Sequence, residues 1–218
     1  MGLHCGYLVA TADPDTLLDE LLRHTGEFEI GDRVERVEDA DIDPGEFEML
    51  LGGGSGKGYL LDTSMILSSD PDLIVALSSA LGTVVGAGAE TVSGSYWLTV
   101  ARDGAAVRHV FVQHASMTAG LAIGDPLPFE AEYPLADSSG AGVFAAMDAY
   151  GLDPSSWLDS GPATIVTYDA TRFPESGPIG ALQHEHRREH ERPDGEWLQE
   201  ITVKVVEPPR RTGGAQDH

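Results

Sequence analysis

The segment SGSYWLTVARDGAAVRHVFVQH, residues 93–114, limits the possible folds more than any other. Two apolar runs flank Arg102-Asp103-Gly104, and a glycine there accepts the positive φ that a tight turn between antiparallel strands needs. A hairpin is expected, and with it a sheet that is not purely parallel.

Other elements carry similar local signals. Residues 3–12 read as a buried strand, closed by Asp13-Pro14 and then Leu17, Leu18, Leu21 and Leu22 at helical spacing. Asp13 accepts from the free amides of a first turn, and Pro14 has no amide to leave unpaired there. Asp70-Pro71 opens a second helix with Leu73, Ile74, Leu77 and Leu81 on one face, and Asp153-Pro154 a short turn carrying Trp157 and Leu158. A further helix over about 141–150 would present Val143, Phe144, Met147 and Tyr150. Strands are expected at 163–168 and in EWLQEITVKVVE, where Ile201, Val203 and Val205 alternate with Thr202 and Lys204. The strand, Asp-Pro, helix order occurs twice and hints at a duplicated unit.

These elements predict an α+β or mixed α/β fold: a mixed sheet with an antiparallel hairpin and three to four amphipathic helices. One domain is expected over 1–207, followed by a disordered tail at 208–218 without apolar content. The chain has 218 residues, enough for such a core.

Charge narrows the partners. Thirty-six acidic against 13 basic residues give a formal net charge of −23, which repels phosphate backbones and anionic lipid. Nucleic acid and membrane are therefore not expected, and a basic protein surface is. A lone cysteine, Cys5, allows no internal disulfide and suits a reducing, cytoplasmic location. It lies in an apolar strand, so a core thiol with a raised pKa is expected. MGLHCGYLVATA lacks a basic start and is interrupted at Asp13, so it reads as a strand rather than a signal peptide.

The phrase Gly124, Leu127, Pro128, Phe129, Glu130, taken with the upstream hairpin, resembles an uncharacterised actinobacterial domain-of-unknown-function family over about half the chain. That resemblance implies no activity.

Four chemical motifs need weighing. LLGGGSGKGYL, residues 50–60, resembles a phosphate loop, but Leu51 and Gly58 stand where glycine and a hydroxyl are required, and a strand rather than a helix should follow. VVGAGAETVSG has Gly86 and Gly88 of a dinucleotide fingerprint but Thr91 in place of the third glycine. Asp39, Asp41 and Asp43 alternate like the opening of a calcium loop, yet Pro44 and Leu50 occupy the glycine and glutamate positions.

His186-Arg187-Arg188-Glu189-His190 matches H-x-x-E-H, in which a helix brings two histidines onto one zinc with the glutamate as base. His186, Glu189 and His190 are thus the candidate metal residues, and zinc is the one cofactor to consider. The competing reading is an exposed charged helix.

His109, His114 and Ser116 cluster near a strand end without a nucleophile elbow. Tyr96 and Trp97 alternate on their strand, so one of them could face a partner at a sheet edge. No segment assembles nucleophile, base and anion cradle together, so no cofactor is assigned and the expected function is a non-catalytic protein-interaction or regulatory module. The alternatives are a metal-dependent hydrolase built on residues 186–190 and a small-molecule-binding protein that uses residues 116–140 as a lid.

Overall fold

A computed structural model describes residues 4–26, 28–43, 47–90, 94–113, 121–132, 141–168, 186–191 and 197–202. The chain divides into two compact units, 1–172 and 173–218.

The first unit is built on one nine-stranded sheet. Its strands are β1 (His4–Ala10), β2 (Phe28–Val34), β3 (Glu48–Gly54), β4 (Lys57–Asp62), β5 (Thr83–Glu90), β6 (Ser95–Arg102), β7 (Ala105–Gln113), β8 (Leu121–Ile123) and β9 (Ala163–Tyr168). They lie in the order β2-β9-β3-β4-β1-β5-β6-β7-β8, and every neighbouring pair is antiparallel. This corrects the expected mixed α/β architecture: the unit is mostly sheet, and its helices are few and short. The physical reason lies in β1. It sits between β4 and β5 and pairs antiparallel with both, so the helical crossover joining β4 to β5 never brings parallel strands together.

Helices α1 (Pro14–Thr25) and α2 (Pro71–Leu81) begin where the sequence places them. Asp13 accepts from Thr16 N at 2.9 Å, and Asp70 from Asp72 N and Leu73 N at 2.9 and 3.1 Å. Leu73, Ile74, Leu77 and Leu81 are all buried, each contributing roughly 2 kcal/mol by removal from water. Leu17 and Ile74 reach the sheet at Gly58 and Gly86, which places α1 and α2 on one face. On the other face α3 (Ala141–Ala149) and α4 (Ser155–Ser160) bring Ala146, Met147 and Trp157 into a core with Cys5, Tyr7, Val9, Leu50, Val85, Leu98 and Val110. Tyr59 and Trp157 stack there with ring centroids 5.5 Å apart.

The β6–β7 hairpin turns at Asp103 and Gly104, both at positive φ, as the sequence predicts. LLGGGSGKGYL is a second hairpin: Gly52–Gly54 belong to β3 and pair with β4, and the chain turns at Ser55-Gly56. No helix follows, so a phosphate loop is excluded by geometry.

In the second unit, β10 (His186–Glu191) pairs antiparallel with β11 (Trp197–Thr202), with His186 opposite Thr202 and His190 opposite Leu198. The helix expected over His186–His190 is therefore a strand. The expected tail at 208–218 lies outside the described residues. Among those described, no helix is long and apolar enough to cross a membrane.

Candidate functional site

The most strongly charged part of the described surface is the margin made by β2 and the chain after it. β2 ends the sheet and pairs only with β9 among the described strands. Its side chains from Glu29 to Arg33 are all exposed. The chain then runs through a 3-10 turn, Val37–Asp39, to Asp43. Over residues 29–43 there are seven acids, Glu29, Asp32, Glu35, Glu38, Asp39, Asp41 and Asp43, against Arg33 and Arg36, and all nine side chains are exposed. Arg36 pairs with Glu38 at 2.5 Å. Ile30, 53% exposed, stands within this stretch. The register shifts between Ile30 and Arg33, so β2 bends at Gly31-Asp32 while its outer backbone groups face away from the sheet.

A second constellation crosses the sheet as one row of paired residues: Asp62, Gly6, Gly88, Trp97 and Phe111. The two glycines make room for side chains laid flat on the face that carries α1 and α2. A Cβ on Gly88 would stand 2.0 Å from Trp97 Cζ2, and one on Gly6 would stand 1.9 Å from Ser68 Oγ and 3.2 Å from that same Cζ2. Asp62 is fully buried and accepts from Ser64 Oγ and Ser68 N, each at 2.7 Å. Beside this row His109 Nδ1 lies 2.8 Å from Thr99 Oγ1. Burial and the adjacent Arg108 charge push the imidazole pKa down, while Asp72 opposes them.

The phrase Gly124 to Glu130, to which the sequence assigns no chemistry, forms a clamp. Arg108 donates from Nε to Glu130 Oε1 at 2.9 Å and from Nη2 to Oε2 at 2.7 Å, and from Nη1 to Gly124 O at 2.6 Å. Leu127 N completes the set by donating to Glu130 Oε1 at 2.8 Å. Gly124 has φ +82°, and a Cβ there would lie 2.3 Å from Val107 O, so the tight approach needs glycine. Both charged partners are satisfied by protein groups, which makes this a structural lock that seats the 3-10 turn Pro128–Ala131 against β7.

The residues singled out from sequence are placed as follows. Asp39, Asp41 and Asp43 are exposed members of the acidic margin, and no group of three or more potential metal ligands occurs among the described residues. His186, Glu189 and His190 lie on β10, where extended backbone separates residues four apart by about 13 Å, against about 6 Å on a helix. The helical geometry that gives the H-x-x-E-H pattern its meaning is thus not the one adopted. Trp97 is buried and Tyr96 half-buried on β6, an interior strand, so neither stands at an edge. Cys5 is a buried thiol whose pKa is raised by burial, with Sγ 3.4 Å from Tyr7 Oη. His114, Ser116 and the greater part of the 116–140 segment lie outside the described residues.

Sequence reasoning missed Glu29, Asp32, Ser68 and Asp62. Alternate glycines within the strand over 83–90 were the available signal for close packing at the row. Comparison with protein-family models, curated proteins and solved structures finds no match to this chain.

Proposed function

We propose that the chain is a non-catalytic interaction module that takes a basic, extended segment of a partner protein against the outer edge of β2. One observation carries the reading: the sheet edge and its densest acidic surface coincide, with seven exposed acids over residues 29–43. An open strand edge offers unpaired N–H and C=O groups to an incoming strand, and its side chains select which strand is accepted. Here they favour lysine and arginine, and Ile30 supplies an apolar contact at the centre. The same charges repel a second copy of the chain, which limits self-pairing along the edge. A net charge of −23 speeds the encounter with a cationic partner and makes it sensitive to salt. We place this activity in the cytoplasm, where the lone Cys5 stays reduced.

The test uses the full chain and a synthetic peptide of alternating lysine and valine, titrated calorimetrically at low and high salt. Binding that weakens at least tenfold with salt, is lost in Glu29→Lys/Asp32→Lys and shifts the β2 backbone amides supports the reading. Equal binding by wild type and variant, or amide shifts confined to other elements, overturns it. A dimer that persists in sedimentation and masks β2 would also overturn it, since the edge would then belong to a second copy.

A further inference from the structure

Two buried hydrogen-bonding groups lie close to Gly6 and have no partner among the described residues. Ser68 is fully buried with its Oγ unpaired, and Trp97 is 4% exposed with its Nε1 unpaired. Cζ2 and the Nε1–H share one edge of an indole ring, and Cζ2 is the Trp97 atom closest to the Gly6 position, where Ser68 Oγ also lies. Both groups therefore lie on the same face of the sheet, beside Gly6. Trp157, by contrast, donates its Nε1–H to Pro162 O at 2.9 Å.

Buried donors are paired in folded proteins with few exceptions, and two orphans on neighbouring side chains call for a shared partner. We infer that this spot binds one small neutral hydroxyl-type oxygen, which accepts from Trp97 Nε1–H and exchanges a hydrogen bond with Ser68 Oγ. The charges around it decide the class. The fully buried Asp62 carboxylate, which holds Ser68 through its backbone N–H at 2.7 Å, disfavours an anion. A buried indole N–H, which can only donate, disfavours a cation. Size is limited as well, because Ser68 and Trp97 already cover the faces of Gly6 and Gly88. A water molecule and the hydroxyl of a small neutral metabolite share this chemistry. The site lies in the sheet interior and is independent of the β2 edge.

The experiment follows the indole N–H signals of the intact full-length protein by NMR, assigned with Trp97→Phe, together with native mass spectrometry and the thermal midpoint of Ser68→Ala. If water is bound, the Trp97 Nε1 proton shows a direct cross-relaxation peak to the solvent resonance, and Ser68→Ala lowers the midpoint by roughly 2–4 °C. If a metabolite is bound, the folded protein carries a neutral mass adduct that denaturation releases and that Ser68→Ala loses. Absence of both the solvent peak and the adduct, with Ser68→Ala as stable as wild type or more so, overturns the site: the two groups would then be plain orphans, and removing one would relieve a penalty.

Discussion

Arg108 on β7 and Glu130 on the Pro128–Ala131 turn hold each other through two parallel hydrogen bonds of 2.9 and 2.7 Å, with side chains 8% and 7% exposed. A pair so placed is little screened by solvent, and removing one member leaves the other charge buried alone. Glu130→Ala should lower unfolding stability by about 3–5 kcal/mol. Arg108→Met/Glu130→Leu, which removes both charges and keeps the volume, should cost much less than the sum of the single changes. Urea midpoints of the three variants check this, and additive losses would show that the two groups do not act as a pair.

Gly88 is required by the ring of Trp97 and not by backbone conformation. Gly88→Ala places a methyl group 2.0 Å from Cζ2 in a fully packed layer, so the indole must move. The expected loss is about 1–3 kcal/mol, the range for overpacking, together with a shifted Trp97 fluorescence maximum. Gly54→Ala is the control, because a Cβ there meets nothing within 4 Å. Equal effects at the two positions would contradict the packing described.

Features written within a few residues were legible in the sequence. Asp103-Gly104 set the hairpin, and the two Asp-Pro pairs set the starts of α1 and α2, because each signal is complete in its own turn. β2 could not be read that way: six of its seven residues are not buried, so no apolar alternation marks it. β3 hides behind three glycines that looked like a loop. The all-antiparallel order depends on β1 entering between β4 and β5, a choice made by pairing across tens of residues that local patterns do not record. The acid density over Asp39–Asp43 was visible, but its continuity with Glu29 and Asp32 on the outermost described strand required the sheet. Gly124 to Glu130 made no sense alone, since its partner Arg108 comes earlier in the chain. The charged run at 186–191 suits either a helix or a strand, and its pairing with 197–202 decides for the strand.

His109 should make the protein sensitive to mild acid. Burial and Arg108 hold its pKa below the ordinary 6.5. Between that lowered value and 6.5 the unfolded chain binds more protons than the folded one, so stability rises with pH across this window and is lost as pH falls through it. The thermal midpoint of wild type should therefore fall more steeply from pH 7 to pH 5 than that of His109→Gln, which keeps a hydrogen-bonding group beside Thr99 but cannot titrate. Parallel slopes would mean that the imidazole is as easily protonated in the folded protein as in the unfolded chain.

Asp13 and Asp70 stand before the same residue, Pro, and cap helices in the same manner, yet they should titrate in opposite directions. Asp13 is exposed, and hydrogen bonds from Thr16 lower its pKa below the usual 3.8. Its contribution is present above the unfolded value and is lost as pH falls through the folded one. Asp70 is buried, and desolvation raises its pKa despite the amides of Leu73 and Asp72. There the folded state takes up the proton more readily, so the burden of an ionised buried carboxylate is relieved as pH falls through the raised value. Carboxyl carbon shifts followed by NMR should place the Asp70 midpoint above that of Asp13. At neutral pH Asp70→Asn, which keeps the cap without the charge, should leave stability unchanged or raise it, whereas Asp70→Ala should cost about 1 kcal/mol through loss of the cap. Asp13→Asn should lower stability at neutral pH and lose that effect in acid. If both aspartates titrate together, the difference in burial between the two caps has no electrostatic consequence.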